Sequence, residues 1–346
     1  MRNLQLFNPL ILVAFVLVLS TGCQENEEVA PVKTGIDAEI LNLTDSTVTL
    51  YSVINPLDKI RGKESAFRME IKVDSNGIFI KPLKFDAGYY FFEYDENKVL
   101  YFIQTGKKLS LDFDARKPTI KPDYSGKLKY ESRYLFDRYM IYGNFVANEA
   151  NYFAYNEPAF IETVELLRGK MDTMLVMYIA NHPTGSPYFM QQESLTNLYF
   201  MASYLAAYPH QRANVKGDMQ PLSPDYYKLI DGLNFNDTNA LNNPEFFGFI
   251  KNYVWSKAGV PTSVTNVVTQ LELVDSLFTV SAYKDYLRFY TAKEVSKWDA
   301  TSERAEMLDT LQSLISDKEI KHFLIKNIQN DTALAPNMEN IILEDQ

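Results

Sequence analysis

The stretch Leu109-Ser-Leu-Asp-Phe-Asp114 decides the fold of the first third of this chain, because apolar and polar residues alternate strictly along it. Successive side chains of a β-strand point to opposite faces, so its apolar residues would face a core and its polar residues would face water. The upstream stretch Thr47-Val-Thr-Leu-Tyr-Ser-Val53 alternates in the same way. Both stretches predict half-buried strands, with Leu109, Leu111 and Phe113 pointing inward.

A third alternating stretch, Phe67-Arg-Met-Glu-Ile-Lys-Val73, is followed by Asp74-Ser-Asn-Gly77 and then by Ile78-Phe-Ile80. An Asn-Gly pair accepts the positive φ angles that tight two-residue turns require. The pattern therefore predicts a β-hairpin in which residues 67–73 pair with residues 78–80.

Two further segments, residues 88–94 and 99–103, are almost continuously apolar. Such runs are typical of central strands that are covered on both faces. About seven short strands, with a turn about every ten residues, are typical of a β-sandwich. Residues 35–126 are therefore predicted to form an antiparallel β-sandwich domain.

The hydrophobic period changes to that of a helix after Gly126. Several predicted helices begin at a proline, whose missing N–H costs nothing in a first turn, next to a capping or acidic residue. These starts are Glu157-Pro158, Ser186-Pro187, Ser223-Pro224 and Asn243-Pro244-Glu245, and Ser302 is expected to cap a further helix. The apolar stripes consist of Phe160, Val164, Leu167, Met171 and Met174; Val264, Val268, Leu271 and Phe278; Tyr283, Leu287 and Tyr290; and Ala305, Leu308, Leu311 and Ile315. We therefore predict an all-helical domain over residues 127–333 and an α+β fold for the chain.

The single cysteine, Cys23, follows a sequence typical of a secretory signal. Arg2 precedes an apolar run over residues 10–19, and small residues at 20–22 fit a signal peptidase groove. The run is shorter than the roughly 20 apolar residues that span a bilayer. We therefore predict a signal peptide over residues 1–22 and lipid attachment to Cys23. Ser20 stands where lipoprotein signals commonly have leucine, which leaves a plain secreted protein as the alternative.

The residues after Cys23 are acidic, and residues 23–34 are predicted to form a linker. Gln24, Glu25, Glu27 and Glu28 resemble the export signal of surface-exposed lipoproteins of the Bacteroidota. This resemblance implies an outer-membrane lipoprotein at the cell surface, while a solvated tether on the periplasmic face is the alternative.

Composition excludes some functions. The chain has 346 residues, 46% hydrophobic and 23% charged, which is typical of a globular protein. Its net charge of −10 argues against nucleic acid as a partner, because phosphate binding needs a basic face. An acidic surface is repelled by anionic lipids, so attachment to the membrane would depend on the lipid at Cys23.

The order of predicted elements resembles Bacteroidota thioredoxin-like lipoproteins of the TlpA type. These proteins have a lipid attachment site and a small β-domain, followed by a helical segment and a thioredoxin domain. The resemblance covers about residues 35–145, and the matching segments are Val73-Asp-Ser-Asn-Gly-Ile-Phe79, Ala87-Gly-Tyr-Tyr90, Leu100-Tyr-Phe-Ile-Gln-Thr-Gly106 and Leu109-Ser-Leu-Asp112. Tyr124-Ser-Gly126 resembles the exit from the β-domain of these proteins. The resemblance implies that Ala335-Pro336 and the rest of the tail over residues 334–346 correspond to the start of a thioredoxin domain. A chance polar tail is the alternative.

Residue types that carry chemistry are sparse in the sequence. Thiol–disulfide exchange needs two thiols, and Cys23 is alone. His182, His210 and His322 are scattered without the spacing of a metal site. Gly185-Ser-Pro187 is typical of a helix cap rather than of a nucleophile elbow. We therefore predict no catalytic residue, no metal and no cofactor.

Aromatic residues make up 14% of the chain. Clusters at residues 152–155, 226–227 and 246–249 either line a glycan or peptide groove or pack the core. Three hypotheses remain open: a non-catalytic binding or accessory lipoprotein with an envelope protein as partner, the front part of a thiol–disulfide oxidoreductase, and a surface glycan-binding lipoprotein.

Overall fold

The computed structural model describes residues 35–74, 77–82, 87–217 and 221–331. All the strands and one short helix, Pro56–Ile60, lie within residues 35–126, and helices occupy the later described residues, so the predicted α+β class is confirmed. The last strand ends at Gly126 and the next helix begins at Lys129, where the sequence period changes.

The strands form two sheets of four strands each. We call the sheet with the order β4-β1-β7-β8 sheet 1, and the sheet with the order β3-β2-β5-β6 sheet 2. The strands are β1 Gly35–Leu41, β2 Thr47–Ser52, β3 Arg68–Lys72, β4 Ile78–Pro82, β5 Gly88–Tyr94, β6 Asn97–Ile103, β7 Lys108–Asp114 and β8 Asp123–Gly126.

One strand pair departs from the predicted antiparallel arrangement. β1 pairs with β7 in parallel, with Gly35 opposite Lys108 and Leu41 opposite Asp114. Between β1 and β7 the chain forms four strands of sheet 2 and one strand of sheet 1, β4, and β7 then runs in the same direction as β1. Two parallel strands must be joined by a long crossover connection. The apolar pattern within each strand does not indicate which other strand it pairs with, so the sequence did not predict this pair.

The predicted hairpin between residues 67–73 and 78–80 is wrong, because β3 lies in sheet 2 and β4 in sheet 1. Within the predicted turn the Gly77 N–H donates to the Asp74 carbonyl at 3.0 Å, while residues 75 and 76 lie outside the described residues. Gly77 has a φ of +77°, and its carbonyl accepts a hydrogen bond from the Ile40 N–H at 2.9 Å. A Cβ at Gly77 would lie 2.0 Å from the Ile40 carbonyl oxygen. The turn thus passes the chain from one sheet to the other.

The prediction of two central strands is half right. β5 lies between β2 and β6, whereas β6 is at the edge of sheet 2. Tyr101, Phe102 and Ile103 of β6 are nevertheless buried. Helix α2 packs on β6. Because this helix covers the strand, β6 is as apolar as a central strand although it lies at the edge of the sheet.

The helices are α1 Pro56–Ile60, α2 Lys129–Val146, α3 Glu149–Phe153, α4 Glu157–Asn181, α5 Pro187–Lys216, α6 Pro244–Ala258, α7 Val264–Leu277, α8 Ser281–Val295, α9 Ser302–Leu314 and α10 Lys318–Asp331, with 3-10 turns at Tyr226–Leu229 and Thr238–Ala240. Asn156, Ser186 and Asn243 each accept a hydrogen bond from a first-turn N–H. The predicted starts of α4, α5 and α6 are therefore confirmed, including the interpretation of Ser186 as a cap.

Three predicted helix details are wrong. Ser223 opens no α-helix, since its N–H donates to Glu157 instead. The α9 cap is Thr301, one residue before the predicted Ser302. On α7 the buried valine is Val267, while Val268 is exposed, because Val267 and Val274 lie on the buried side of a helix that packs against α6 and α8.

Strands and helices share their cores. The β-strand core also contains Leu135, Tyr178 and Phe189 from α2, α4 and α5. Conversely, α1 lies between β2 and β3, and its Leu57 and Ile60 belong to the core of the later helices. The division into two domains at residue 126 stays a prediction, since apolar packing connects the two parts in both directions.

Candidate functional site

The predicted lipid attachment site, Cys23, lies outside the described residues, as do the predicted export signal at Gln24, Glu25, Glu27 and Glu28 and the tail over residues 334–346. Among the described helices, none has both the length and the apolar character of a membrane span. These predictions therefore rest on the sequence alone.

The three histidines lie on different elements. His182 caps the end of α4 and stacks on Tyr130, with 3.5 Å between ring centroids. His210 lies within α5, near Trp255 of α6. His322 lies on α10 in a cavity of about 330 Å³. Within the described residues no group of three or more His, Cys, Asp or Glu side chains has the arrangement of a metal site.

That cavity is lined by charged residues of α10 and of the segment after α1, which include Arg61, Lys63 and Glu319. Arg61 lies 2.7 Å from Asp317 and 3.0 Å from Asp58, and Lys63 lies 2.9 Å from Glu319. Since these cations are already paired with carboxylates, the network joins α1 to α10 rather than presenting free positive charge.

A buried polar cluster connects sheet 2 to the helices. The Arg138 guanidinium of α2 lies 2.7 Å from Glu193 of α5, and the Tyr89 hydroxyl of β5 donates to the other Glu193 oxygen at 2.6 Å. The Glu193 side chain has no exposed surface. Each oxygen of this buried carboxylate thus has a partner, as a charge in a protein interior requires.

The environment of this cluster sets its charges. Burial raises the pKa of Glu193, while the charge of Arg138 and the Tyr89 hydroxyl oppose that rise. Burial would lower the pKa of Arg138, but Glu193 reverses this and raises it above its ordinary value. Burial together with the Glu193 charge raises the pKa of Tyr89 well above 10, so its hydroxyl remains a donor.

Aromatic and amide groups extend the cluster toward α6. The Tyr142 hydroxyl donates to Asn197 at 3.1 Å, and the Tyr142 ring stacks on Phe200 with centroids 3.9 Å apart. Glu245, in the first turn of α6, is half-buried. Burial raises the pKa of Glu245 to about 7, against the opposing charge of Arg138. Because Tyr89, Arg138 and Glu193 bind one another, the cluster is a structural joint between β5, α2 and α5.

The outer face of sheet 2 offers a different surface. Tyr51 of β2 lies opposite Phe91 of β5, and Phe91 lies opposite Leu100 of β6. The inward-facing neighbours Leu50 and Phe92 are fully buried, so these three residues point to the other side of the sheet. All three are half-buried. We call Tyr51, Phe91 and Leu100 the aromatic row.

Two cations lie over the aromatic row. The Lys98 ammonium lies 4.0 Å from the Phe91 ring centroid and 5.4 Å from that of Tyr51. Arg68, opposite Tyr51 in the sheet, has its guanidinium carbon 5.4 Å from the Tyr51 centroid. All three distances are within the range of cation–π attraction. The described part of this face thus combines apolar rings with charges of both signs, since Glu93 lies opposite Lys98 in the sheet.

The aromatic clusters singled out in the sequence lie mainly in the core. Phe153, Tyr226, Phe246, Phe247 and Phe249 are all buried. Tyr155 remains 40% exposed, and it belongs to the helical part rather than to a sheet face. Sequence reasoning missed the aromatic row, although the alternation of residues 47–53 places Tyr51 opposite to Leu50. Phe91 gave no such signal, because its neighbours on both sides are aromatic.

Comparison with protein-family models, with curated proteins and with solved structures finds no significant match for this chain.

Proposed function

We propose that this chain is a non-catalytic binding protein of the cell envelope, held at the outer membrane by a lipid on Cys23. The anchor is supported by the apolar run over residues 10–19 and the small residues that precede the only cysteine. Lipid attachment there would leave the described residues free to bind a partner in the envelope.

We further propose that the two sheets form a β-sandwich. Buried side chains from both sheets support this arrangement: Ile36 and Leu111 of sheet 1 belong to the same core cluster as Leu50 and Phe92 of sheet 2. A sandwich presents the outer faces of its sheets as flat surfaces. The outer face of sheet 2 then becomes the natural ligand surface.

The observation that carries the binding role is the aromatic row. Planar rings on a flat sheet face provide contact area at low cost in side-chain entropy, and Tyr and Trp are enriched in binding surfaces for this reason. Among the hypotheses from the sequence, this geometry favours glycan binding, although through Tyr51 and Phe91 rather than through the clusters in the helical part.

Cell fractionation tests the anchor. Replacing Cys23→Ala should move the protein from the membrane fraction to the soluble fraction and abolish labelling by a palmitate analogue. Thr21→Ser, which keeps a small residue before the cysteine, serves as the matched control and should stay with the membrane. Unchanged sedimentation of Cys23→Ala with membranes would contradict the anchor.

Protease shaving of intact cells separates the two faces of the outer membrane. We expect the wild-type protein to be cleaved from the surface, and replacement of Glu25, Glu27 and Glu28 by glutamine to protect it inside the periplasm. Protection of the wild-type protein would place it on the periplasmic side. A glycan array probed with the Cys23→Ala and Tyr51→Leu/Cys23→Ala proteins tests binding, which should weaken when the ring is removed.

A further inference from the structure

We infer that Lys251 is a nucleophilic amine that binds aromatic aldehydes covalently, as imines, at a site where α5, α6 and α8 meet. The site belongs to the later helices and shares no residue with the aromatic row. The inference goes beyond the proposed function, and it depends neither on glycan binding nor on the anchor at Cys23.

Two aromatic rings hold the Lys251 ammonium. It lies 5.0 Å from the ring centroid of Trp255, one turn further along α6, and 5.3 Å from that of Tyr290 on α8. Both distances are within the range of cation–π attraction. His210 of α5 reaches the same place, since its ring centroid lies 6.4 Å from that of Trp255. The amine thus lies at a junction of three helices.

The Lys251 ammonium differs from most lysines of the described chain in its partners. Among the described residues it forms neither a hydrogen bond nor an ion pair, and its contacts are with the two rings. Lys63, Lys108 and Lys257, in contrast, form ion pairs of 2.9, 3.0 and 3.4 Å with carboxylates. A close carboxylate keeps an ammonium protonated, because it favours the charged form. Lys251 lacks that stabilisation.

The surroundings of Lys251 favour its neutral form. Burial lowers the pKa of Lys251 against the opposing charge of Glu294, and the charge of Lys293 adds to the fall. On α5, burial and the charge of Lys251 lower the pKa of His210 to about 4, so this imidazole is neutral at pH 7. A larger share of Lys251 is therefore the neutral amine than in an exposed lysine, and desolvation of this kind is a known way to activate lysine as a nucleophile.

The amine is enclosed by side chains but still reaches solvent. Lys251 is half-buried, and its ammonium is not one of the fully enclosed polar atoms without a partner, which include the His210 Nδ1. Trp255 and Tyr290 are half-buried as well, so part of each ring faces the opening. A flat ligand ring that packs against them gains apolar and aromatic contact. The site therefore favours an aromatic aldehyde over an aliphatic one.

The reaction at Lys251 is a condensation without a change of oxidation state. The nitrogen lone pair attacks the carbonyl carbon, a C–N bond forms, and a proton passes from the nitrogen to the former carbonyl oxygen. This oxygen then leaves as water, and a C=N bond to the lysine remains. One amine and one aldehyde thus give one imine and one water molecule.

Reductive trapping followed by peptide mapping tests the inference. The full-length protein in detergent is incubated with benzaldehyde or with propanal, each together with cyanoborohydride, which reduces an imine to a stable amine. Lys228, which is exposed and paired with Asp225, is the internal control. We expect benzaldehyde to modify Lys251 severalfold faster than Lys228, and we expect this preference for Lys251 to be smaller with propanal.

A pH series distinguishes a nucleophilic amine from one that is merely accessible. The rate of modification of Lys251 should reach half its maximum at a lower pH than the rate of Lys228. Lys251→Arg should abolish the adduct, and Tyr290→Leu should reduce the preference for benzaldehyde. Tyr139→Leu, at an exposed tyrosine on α2, is the matched control and should leave that preference unchanged. Circular dichroism checks that each variant is folded.

Three results would overturn the inference. The first is the absence of a Lys251 adduct at every pH, and the second is a pH midpoint equal to that of Lys228. The third is an equal preference for Lys251 with benzaldehyde and with propanal. All three are measured on the wild-type protein, so a variant that fails to fold does not affect the decision.

Discussion

Arg138 of α2 and Glu193 of α5 form an ion pair of 2.7 Å at the joint between the helices and sheet 2. The Tyr89 hydroxyl of β5 donates a hydrogen bond to the other oxygen of the Glu193 carboxylate. Three elements that are far apart in sequence thus meet at one buried charge. Since a buried ion pair costs desolvation on both sides, its effect on stability depends on whether the pair stays complete.

Arg138→Met should lower the free energy of unfolding by about 3–5 kcal/mol, because it leaves the Glu193 carboxylate buried without its counter-ion. The double replacement Arg138→Met/Glu193→Leu should recover most of this loss. Urea denaturation measures both. Arg168→Met on α4, where an exposed arginine pairs with Asp172 at 3.4 Å, is the control and should change stability by less than about 1 kcal/mol. An equally small effect of Arg138→Met would contradict the role of the pair.

Glu245 should make stability depend on pH. Burial raises the pKa of Glu245 to about 7, above its value in the unfolded chain. Its favourable contribution is therefore complete below pH 4.5 and is lost as pH rises through 7. Glu245→Gln should be more stable than wild type at pH 8, by about 1–2 kcal/mol, and nearly equal to it at pH 4.5.

Urea denaturation at pH 4.5, 6 and 8 measures this difference for Glu245→Gln. Glu303→Gln, at an exposed carboxylate in the first turn of α9, is the matched control for replacing a first-turn glutamate by glutamine. A wild-type advantage at pH 8 would show that Glu245 is better stabilised as an anion than its burial indicates.

His210 should make the protein less stable at low pH, which is opposite to the effect expected for Glu245. Burial and the nearby Lys251 lower the pKa of His210 to about 4. The unfolded chain takes up a proton near pH 6.5, so the stability that neutral His210 contributes is complete above that pH and is lost as pH falls toward 4. His210→Leu should therefore lose about 1–2 kcal/mol less than wild type between pH 7 and 4.5.

Thermal unfolding across that pH range tests the expectation for His210. His322→Leu, which replaces an exposed histidine of α10, is the matched control for exchanging a histidine for leucine. A His210→Leu curve parallel to wild type would mean that His210 titrates in the folded protein much as it does in the unfolded chain.

Gly62→Ala should destabilise the connection after α1 severely. Gly62 has a φ of +73°, and a Cβ there would lie 2.3 Å from the Phe323 ring of α10. Gly217 has the same φ but no atom within 4 Å of a Cβ. Gly217→Ala should therefore lower the free energy of unfolding by only about 1–2 kcal/mol, the cost of a left-handed backbone conformation for a residue with a Cβ. Gly62→Ala should lower it by more, because its Cβ also clashes with Phe323. Equal losses in urea denaturation would show that α10 moves aside.

Local patterns allowed a correct prediction of much of the secondary structure. The strand at residues 88–94 matches β5, and the caps Asn243 and Ser186 open α6 and α5 as expected. These features depend on residues within one turn or one strand of each other. The prediction that Ser223 caps an α-helix was wrong, because the residue that it binds, Glu157, lies 66 residues away in the sequence.

The candidate binding face was beyond prediction for a related reason. An alternating pattern tells which residues share a face, but not which strands lie side by side or what covers the face. Phe91 and Phe102 both belong to the outer face of sheet 2, yet α5 buries Phe102 and leaves Phe91 half-exposed. That difference depends on where a helix from a distant part of the chain packs.

The amino-acid sequence by itself determined the order of strands and helices, the turn at Gly77 and the helix caps, because each of these follows from backbone geometry and side-chain period over a few residues. Only the tertiary structure decided the parallel pairing of β1 with β7, the insertion of α1 into the helical core, the burial of Glu193 against Arg138 and the exposure of the aromatic row. These features depend on which segments, far apart in the sequence, pack against each other and exclude water. Such long-range packing produces no periodic pattern of apolar residues within one segment.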